Sequence, residues 1–293
     1  MSTQYIDRNT LLLLHGETLA DASWYKRQIT NNGVAASAEQ SRFGGKSLKF
    51  DGAAYLLVAP CAFGDRDFTI DWWEYVTSEA SHARFSSSYT PETGYSSYGG
   101  LLIGYEGELV FASSYPVSNA WDLVSSYPML SNTLNTWVHW ALVRSGNTLT
   151  SYRNGMAFAT VPIEGAIGYS SSIQMAVGNY RFGDPSLFIG YIDEFRISSV
   201  ARWTEDFTPP DERYAFALIT DRTQADVTAV RNLAEAIKAG TATPEQVHQY
   251  LNVHQKGAYT HEDLNRVEGA VQYVAGRMRE YGYLEQLPII GHW

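Results

Sequence analysis

Two hydrophobic periods divide the chain. From residue 1 to about 213, apolar positions fall in short alternating or continuous runs broken by Gly, Ser, Asn and Pro, the rhythm of strands and turns. From about residue 221 the apolar spacing lengthens to three and four, the period of an amphipathic helix. "KSLKFDG", "AYLLVA", "DFTIDWWEYV", "GGLLIGYEGELVFAS", "IQMAVGN" and "LFIGYIDEFRIS" each read as strand. The longest run, "TWVHWALVRSGNTLTSYRNGMAFATV", contains Gly146-Asn147 and Asn154-Gly155, so it predicts three consecutive antiparallel strands. Asn-Gly is the stronger signal, because a type I′ turn needs positive φ at both central residues. This many closely spaced strands predict an all-β two-sheet jelly-roll sandwich over residues 1–213, not a small immunoglobulin-like domain.

Residues 214–293 read as a small α-helical C-terminal module of three short helices. "TQADVTAVRNLAEAIKAG" opens with Thr223 and Asp226 at capping-box spacing, carries Val227, Val230, Leu233, Ala234 and Ile237 on one face, and stops at Gly240. "TPEQVHQYL" begins with Thr243 as cap and Pro244 at the first helical position. "THEDLNRVEGAVQYVAGRMREYGY" repeats the pattern from Thr260 to Gly282. Three short helices bury a face only against one another or a partner, which suits packing or attachment rather than catalysis.

Composition narrows the partners. The chain has 293 residues and 45% apolar content, enough for a sizeable core, and its 20 Tyr and 8 Trp exceed what core filling needs. Some aromatic residues are therefore expected at the surface. A net charge of −10 argues against nucleic acid or an anionic membrane as the main partner, leaving a neutral or cationic one. Cys61 is the only cysteine, so no intrachain disulfide forms, and its expected role is a small buried apolar residue. Leu11–Leu14 is shorter than the roughly 7–15 apolar residues of a signal-peptide core, and no run suits a membrane span. Synthesis in a cytoplasm without a signal peptide and without membrane insertion is expected.

Catalytic constellations are sparse. Two carboxylates roughly 5–9 Å apart would be needed for glycoside hydrolysis. In "DFTIDWWEY", Asp67 and Asp71 share a face but stand about 13 Å apart along a strand, and Glu74 has the opposite parity. All three are expected to face solvent. His261-Glu262 lacks the second histidine of a zinc motif, His248, His254 and His261 suit no single helical face, and "RFGGKS" lacks phosphate-loop spacing. His139 shares parity with Trp137 and reads as a core or sheet-face residue.

Binding has better support. Segments 84–100 and 113–133 interrupt the strands with Tyr, Ser, Gly and Pro, a mix of rigid aromatic faces and adaptable small polar groups. Tyr89, Tyr95, Tyr98, Tyr115, Trp121 and Tyr127 are candidates for a sugar-stacking or protein-contacting surface, with Asn119 and Asp122 as polar partners. In "LFIGYIDEFRIS", regular alternation sends Asp193 and Glu194 to opposite faces, so they do not form one catalytic pair. Asp193 would share a face with Tyr191, Phe195 and Ile197, and Glu194 would pair with Arg196.

Four stretches in order resemble the laminin-G-like, concanavalin-A-like jelly-roll family of lectin-type domains: "LLLLHGETLADAS", "DFTIDWWEYV", "NTWVHWALVRSGNTLTSYRNG" and "GYIDEFRISSVARW" with its Phe207-Thr208-Pro209 exit. They cover roughly residues 10–210. The resemblance implies a carbohydrate-binding jelly roll and a structural Ca²⁺ near the first and last strands, held by Asp193 with Glu17 or Asp21 and backbone carbonyls. His-Gly-Glu at residues 15–17 departs from the aromatic-Asp pair common there. More faintly, "DRTQADV", "KGAYTHEDLNRVEGAVQYVAGRM" and "YGY" resemble segments following such domains in bacteriophage and prophage tail and baseplate proteins. Together these imply a non-enzymatic virion surface protein that binds a cell-surface glycan or protein receptor and contacts other virion proteins through its helices. The alternatives are a structural decoration or tail/baseplate assembly protein, and a glycoside hydrolase or lyase on the same fold. A homo-oligomer is compatible with this setting, although no coiled-coil heptads specify one.

Overall fold

The computed structural model describes residues 5–7, 9–88, 99–105, 108–114, 121–124, 132–179, 187–211, 215–216, 223–244, 246–247 and 250. The chain divides into two compact units, residues 1–214 and 215–293.

In the first unit, after a two-residue strand Tyr5–Ile6 (β1), come Thr10–Leu14 (β2), Ile29–Asn32 (β3), Ala35–Ser37 (β4), Ser47–Asp51 (β5) and Tyr55–Val58 (β6). Phe68–Val76 (β7), Phe85–Ser86 (β8), Gly100–Tyr105 (β9), Glu108–Ser113 (β10) and Trp137–Ser145 (β11) follow. Thr148–Arg153 (β12), Met156–Pro162 (β13), Met175–Val177 (β14) and Ile189–Ser198 (β15) complete it. The expected run 99–113 is a hairpin of two strands, β9 and β10, and β3 and β4 lie in stretches too polar to have been read as strand.

Strands β2–β15 form two antiparallel sheets, the jelly-roll sandwich that the pattern predicts. An eight-stranded sheet runs β13-β12-β11-β7-β15-β5-β4 with β2 also on β15, and a six-stranded sheet runs β10-β9-β8-β14-β6-β3. β15 changes partner along its length: Ile189–Ile192 pair with β5, and Phe195–Ser198 pair with β2. Both predicted turns form. Gly146, and Asn154 with Gly155, take positive φ, and β11, β12 and β13 pair antiparallel in succession, with one register shift between β12 and β13 at Ser151 and Tyr152.

Between the sheets lies one core. Phe68, Ile70 and Trp72 of β7, Trp140 and Leu142 of β11, and Ile192, Phe195 and Ile197 of β15 meet Leu56, Phe85, Leu101 and Ile103 of the smaller sheet. The large sheet is also covered on its outer side. Residues 199–207 cross it, pinned where the Thr69 hydroxyl donates to the Val200 carbonyl and accepts from the Arg202 N–H. Trp203 then packs on Ala141, Val143 and Tyr152, with Phe207 stacked on it at 4.0 Å. β7 is therefore buried on both faces, which explains its nearly continuous apolar run.

In the second unit, Ala215–Phe216 (β16) precedes the helix Gln224–Lys238 (α1). Thr223 accepts from the Asp226 N–H, Asp226 accepts from the Thr223 N–H, and the turn after the helix closes with Gly240 at φ +71°. Its apolar face is half-buried and none of its residues is fully buried. The next cap forms at Thr243, whose hydroxyl accepts from Gln246. Of the second expected helix, residues 244, 246, 247 and 250 are helical, and all of the third lies outside the described residues.

Candidate functional site

The carboxylates of β7 are not solvent-facing as expected; both Asp71 and Glu74 are buried in ion pairs. On the outer side of the large sheet, Asp71 accepts from Arg196 Nε at 2.9 Å and from Nη2 at 3.3 Å, all fully buried beneath Trp203. Burial alone would raise the Asp71 carboxyl, but Arg196 and then His139 more than offset this and hold it down at about 2. His139 Nε2 stands 3.7 Å away, a Coulombic contact longer than a hydrogen bond, and burial among Trp73, Trp203 and Phe207 pushes its imidazole below its ordinary value. On the core side, Glu74 accepts from Trp72 Nε1 and from Arg84 Nε and Nη2, at 2.9 to 3.0 Å. Two acids on opposite faces, each held by a guanidinium, cannot cooperate at one glycosidic bond. Strand parity foretold the separation; the arginines carried no local signal, since each pairs only through the tertiary fold.

The acidic pair in β15 departs from regular alternation. Asp193 pairs with Trp73 and Arg196 with Asp71, so three steps of β15 oppose two of β7, a bulge with Glu194 at φ +49°. Parity flips there. Asp193 joins Arg196 on the outer face while Phe195 and Ile197 turn into the core, and Glu194 pairs with His15 at 2.5 Å instead of with Arg196. Asp193 accepts from the backbone N–H groups of Arg42 and Phe43, with Arg42 stacked over Trp73 at 4.3 Å. Burial first, then the neighbouring charges of Glu194 and Glu17, push the Asp193 carboxyl up to about 8. Asp21 has both oxygens engaged by Leu13 N–H, the N–H and hydroxyl of Ser23, and Arg27 N–H. No group of three or more His, Cys, Asp or Glu among the described residues is arranged to hold a metal. A cation at Asp193 and Glu17 would therefore need backbone carbonyls as well.

Of the eight candidate ligand-binding residues, Trp121 and Asp122 lie within the described structure; Tyr89, Tyr95, Tyr98, Tyr115, Asn119 and Tyr127 lie outside the described residues. Leu102 and Phe111 point away from the core on the outer side of β9 and β10, and with Ala83 they form a small apolar patch. Trp121 packs half-exposed on this patch, its ring 5.2 Å from Phe111 and its backbone at φ +63°. The residues that follow it are tied twice to the end of β10 and the residue after it. Asp122 accepts from the Ser114 N–H at 2.7 Å and from the Ser114 hydroxyl, and Val124 bridges Ala112. Burial would raise the Asp122 carboxyl, but the Ser114 bonds more than offset it and hold it below the ordinary value. The result is a large aromatic face fixed at the surface by main-chain geometry, a contact group needing little ordering on binding.

A family model described as the concanavalin A-like lectin/glucanases superfamily matches residues 50–206, more than half of the chain. No curated protein sequence matches. Among solved structures, domain 4 of an extracellular arabinanase from Geobacillus stearothermophilus, in complex with arabinotriose, is similar at 17% identity and a TM-score of 0.48, covering 66% of this chain and 93% of that one. The binding domain of Paraclostridial Mosquitocidal Protein 1 is similar at 15% identity and a TM-score of 0.44, covering 66% and 49%. The binding domain of botulinum neurotoxin serotype G is similar at 13% identity and a TM-score of 0.45, covering 66% and 48%. This chain spans about half the length of the two toxin domains.

Proposed function

The chain belongs to the concanavalin A-like lectin/glucanase superfamily, and from that premise we propose that it is a non-enzymatic binding protein recognising a cell-surface glycan or receptor. The observation that carries the reading is Trp121, an aromatic face held half-exposed on the outer side of the six-stranded sheet by a strained, doubly anchored turn. The absence of catalysis is supported by Asp71 and Glu74, each engaged by a buried arginine on opposite faces of β7. The virion surface is the setting this proposal adopts, with the helical unit as attachment module; it rests on the resemblance of residues 221–283 to phage tail and baseplate segments.

The test uses the full chain on an array of bacterial surface glycans, together with a host-cell adsorption assay. Trp121→Ala should reduce retention about tenfold or more, as truncation of an aromatic anchor does, with the circular dichroism spectrum unchanged. No retention on either assay would refute the binding reading, and release of reducing ends lost on Asp71→Asn would replace it with hydrolysis.

The proposal includes a structural Ca²⁺ held by Asp193 and Glu17 with backbone carbonyls. Its support is a pair of oxygen donors, Asp193 buried and Glu17 half-buried, in which burial and the neighbouring charges of Glu194 and Glu17 raise the Asp193 carboxyl. Asp21, with four donors on its two oxygens, is left out of it.

A further inference from the structure

At the end of the sandwich where the chain enters β7 and leaves β15, a groove of about 450 Å³ opens, lined entirely by described residues of the first unit. Its floor is apolar, with buried Phe63 and Phe68 beneath it. Two tyrosines from distant loops stand in its lining, Tyr25 at 51% and Tyr169 at 40% exposure, among the most exposed large apolar side chains described. Arg27, Arg66, Asp67 and Ser199 supply the polar groups. Cys61 also lines the groove, but burial raises its thiol to about 11, so it offers no nucleophile.

The charges are arranged unequally. Arg27 is fixed: its Nε donates to the Leu11 carbonyl and its Nη1 to the Pro60 carbonyl, both at 2.8 Å, and its guanidinium lies 5.3 Å from the Tyr25 ring. Those carbonyls orient the cation without neutralising it. The exposed guanidinium of Arg66 makes no hydrogen bond or ion pair among the described residues. Asp67 accepts from the Gly146 N–H at 2.8 Å, which leaves its second oxygen as an acceptor toward the groove. Two guanidinium groups thus face one carboxylate on a chain whose net charge is −10. A volume of this size suits one or two sugar residues. Exposed aromatic side chains suit the apolar side of a pyranose ring, a carboxylate acceptor suits its hydroxyls, and a planar guanidinium suits a carboxylate on the sugar bidentately.

We propose that this groove is a binding site for a carboxylated sugar, a uronic or nonulosonic acid residue of a glycan, with the ring on Tyr25 and Tyr169 and the acid group on Arg66. It is a second site, separate from the Trp121 surface, and shares with the proposed function only the premise that the jelly roll binds glycans. Two guanidinium groups beside one carboxylate leave a single net positive charge, which favours a monoanion over a phosphate dianion.

The experiment titrates the full chain by isothermal calorimetry with galacturonate, glucuronate and N-acetylneuraminate, and with galactose and inorganic phosphate as contrasts. At least one acidic sugar should bind, at least about tenfold more tightly than galactose, and binding should weaken as salt is raised. Arg66→Ala and Tyr169→Ala should each weaken binding about tenfold while the melting temperature stays within about 2 °C, since both side chains are exposed. Trp121→Ala should leave these titrations unchanged, so the site can stand where the Trp121 surface fails, and the reverse. The inference is overturned if no acidic sugar binds, if galactose binds equally, or if Arg66→Ala has no effect. Loss of binding in Trp121→Ala alone, or phosphate binding as tight as the sugar acids, overturns it equally.

Discussion

Replacing Arg196 by Met is the sharpest perturbation of this fold, because it leaves the shape nearly intact and removes one charge of a fully buried pair. Arg196 and Asp71 are both inaccessible, joined through 2.9 and 3.3 Å bonds, and His139 is too distant and too deeply buried to replace the guanidinium. An orphaned buried carboxylate typically costs about 3–5 kcal/mol. In a domain of this size, that lowers the melting temperature by about 6–20 °C. The sign of the pH dependence should change as well. In the native protein Asp71 titrates near 2, below its ordinary 3.8, so its contribution is present above pH 3.8 and lost as pH falls through 2. That contribution is on the order of 2 kcal/mol. In Arg196→Met, burial is left as the dominant influence and the Asp71 pKa rises above 3.8, so stability falls as pH climbs through the new value. Urea unfolding of the two proteins at pH 4.5 and 7.5 measures both effects. The double variant Asp71→Leu with Arg196→Met should recover most of the loss, because a matched apolar pair leaves no charge stranded. A loss below about 1 kcal/mol at pH 7.5, or a double variant no better than the single one, would refute the account.

Two further outcomes follow from the bulge and the turns. Asp193, raised to about 8, contributes stability that is complete below pH 3.8 and lost as pH rises through 8; in chelator the melting temperature should therefore fall between pH 6 and 9, and millimolar Ca²⁺ should restore it unless Asp193 is changed to Asn. A melting curve insensitive to both pH and Ca²⁺ would remove the ion from the proposal. Gly155→Ala places a Cβ 1.8 Å from the Phe207 carbonyl oxygen at φ +79°, so it should cost about 2 kcal/mol or more and loosen the Trp203–Phe207 cover, measured by urea unfolding and indole fluorescence. Stability unchanged in that variant would contradict the close approach of the cover to the hairpin.

What the sequence could reveal depended on whether the relevant interaction was local. The two hairpin turns and the Thr223 cap each follow from neighbours along the chain, and all three are found in the structure. The burial of Asp71 follows from residues 199–207 folding across β7, more than a hundred residues earlier in the sequence, and alternation alone reads that side of β7 as wet. The groove tyrosines, Tyr25 and Tyr169, each stand in a separate loop and become a pair only when the sandwich closes. The bulge is the most instructive case, because glutamate gives no hint of a left-handed backbone. Without the extra residue at Glu194, either Phe195 and Ile197 or Ile192 would leave the core, and Asp193 and Arg196 could not share the outer face. "LFIGYIDEFRIS" therefore needs its two carboxylates for different reasons. Glu194 fills the bulge and pairs with His15, whereas Asp193 anchors the turn at Arg42 and Phe43 on the same outer face as the Asp71–Arg196 pair.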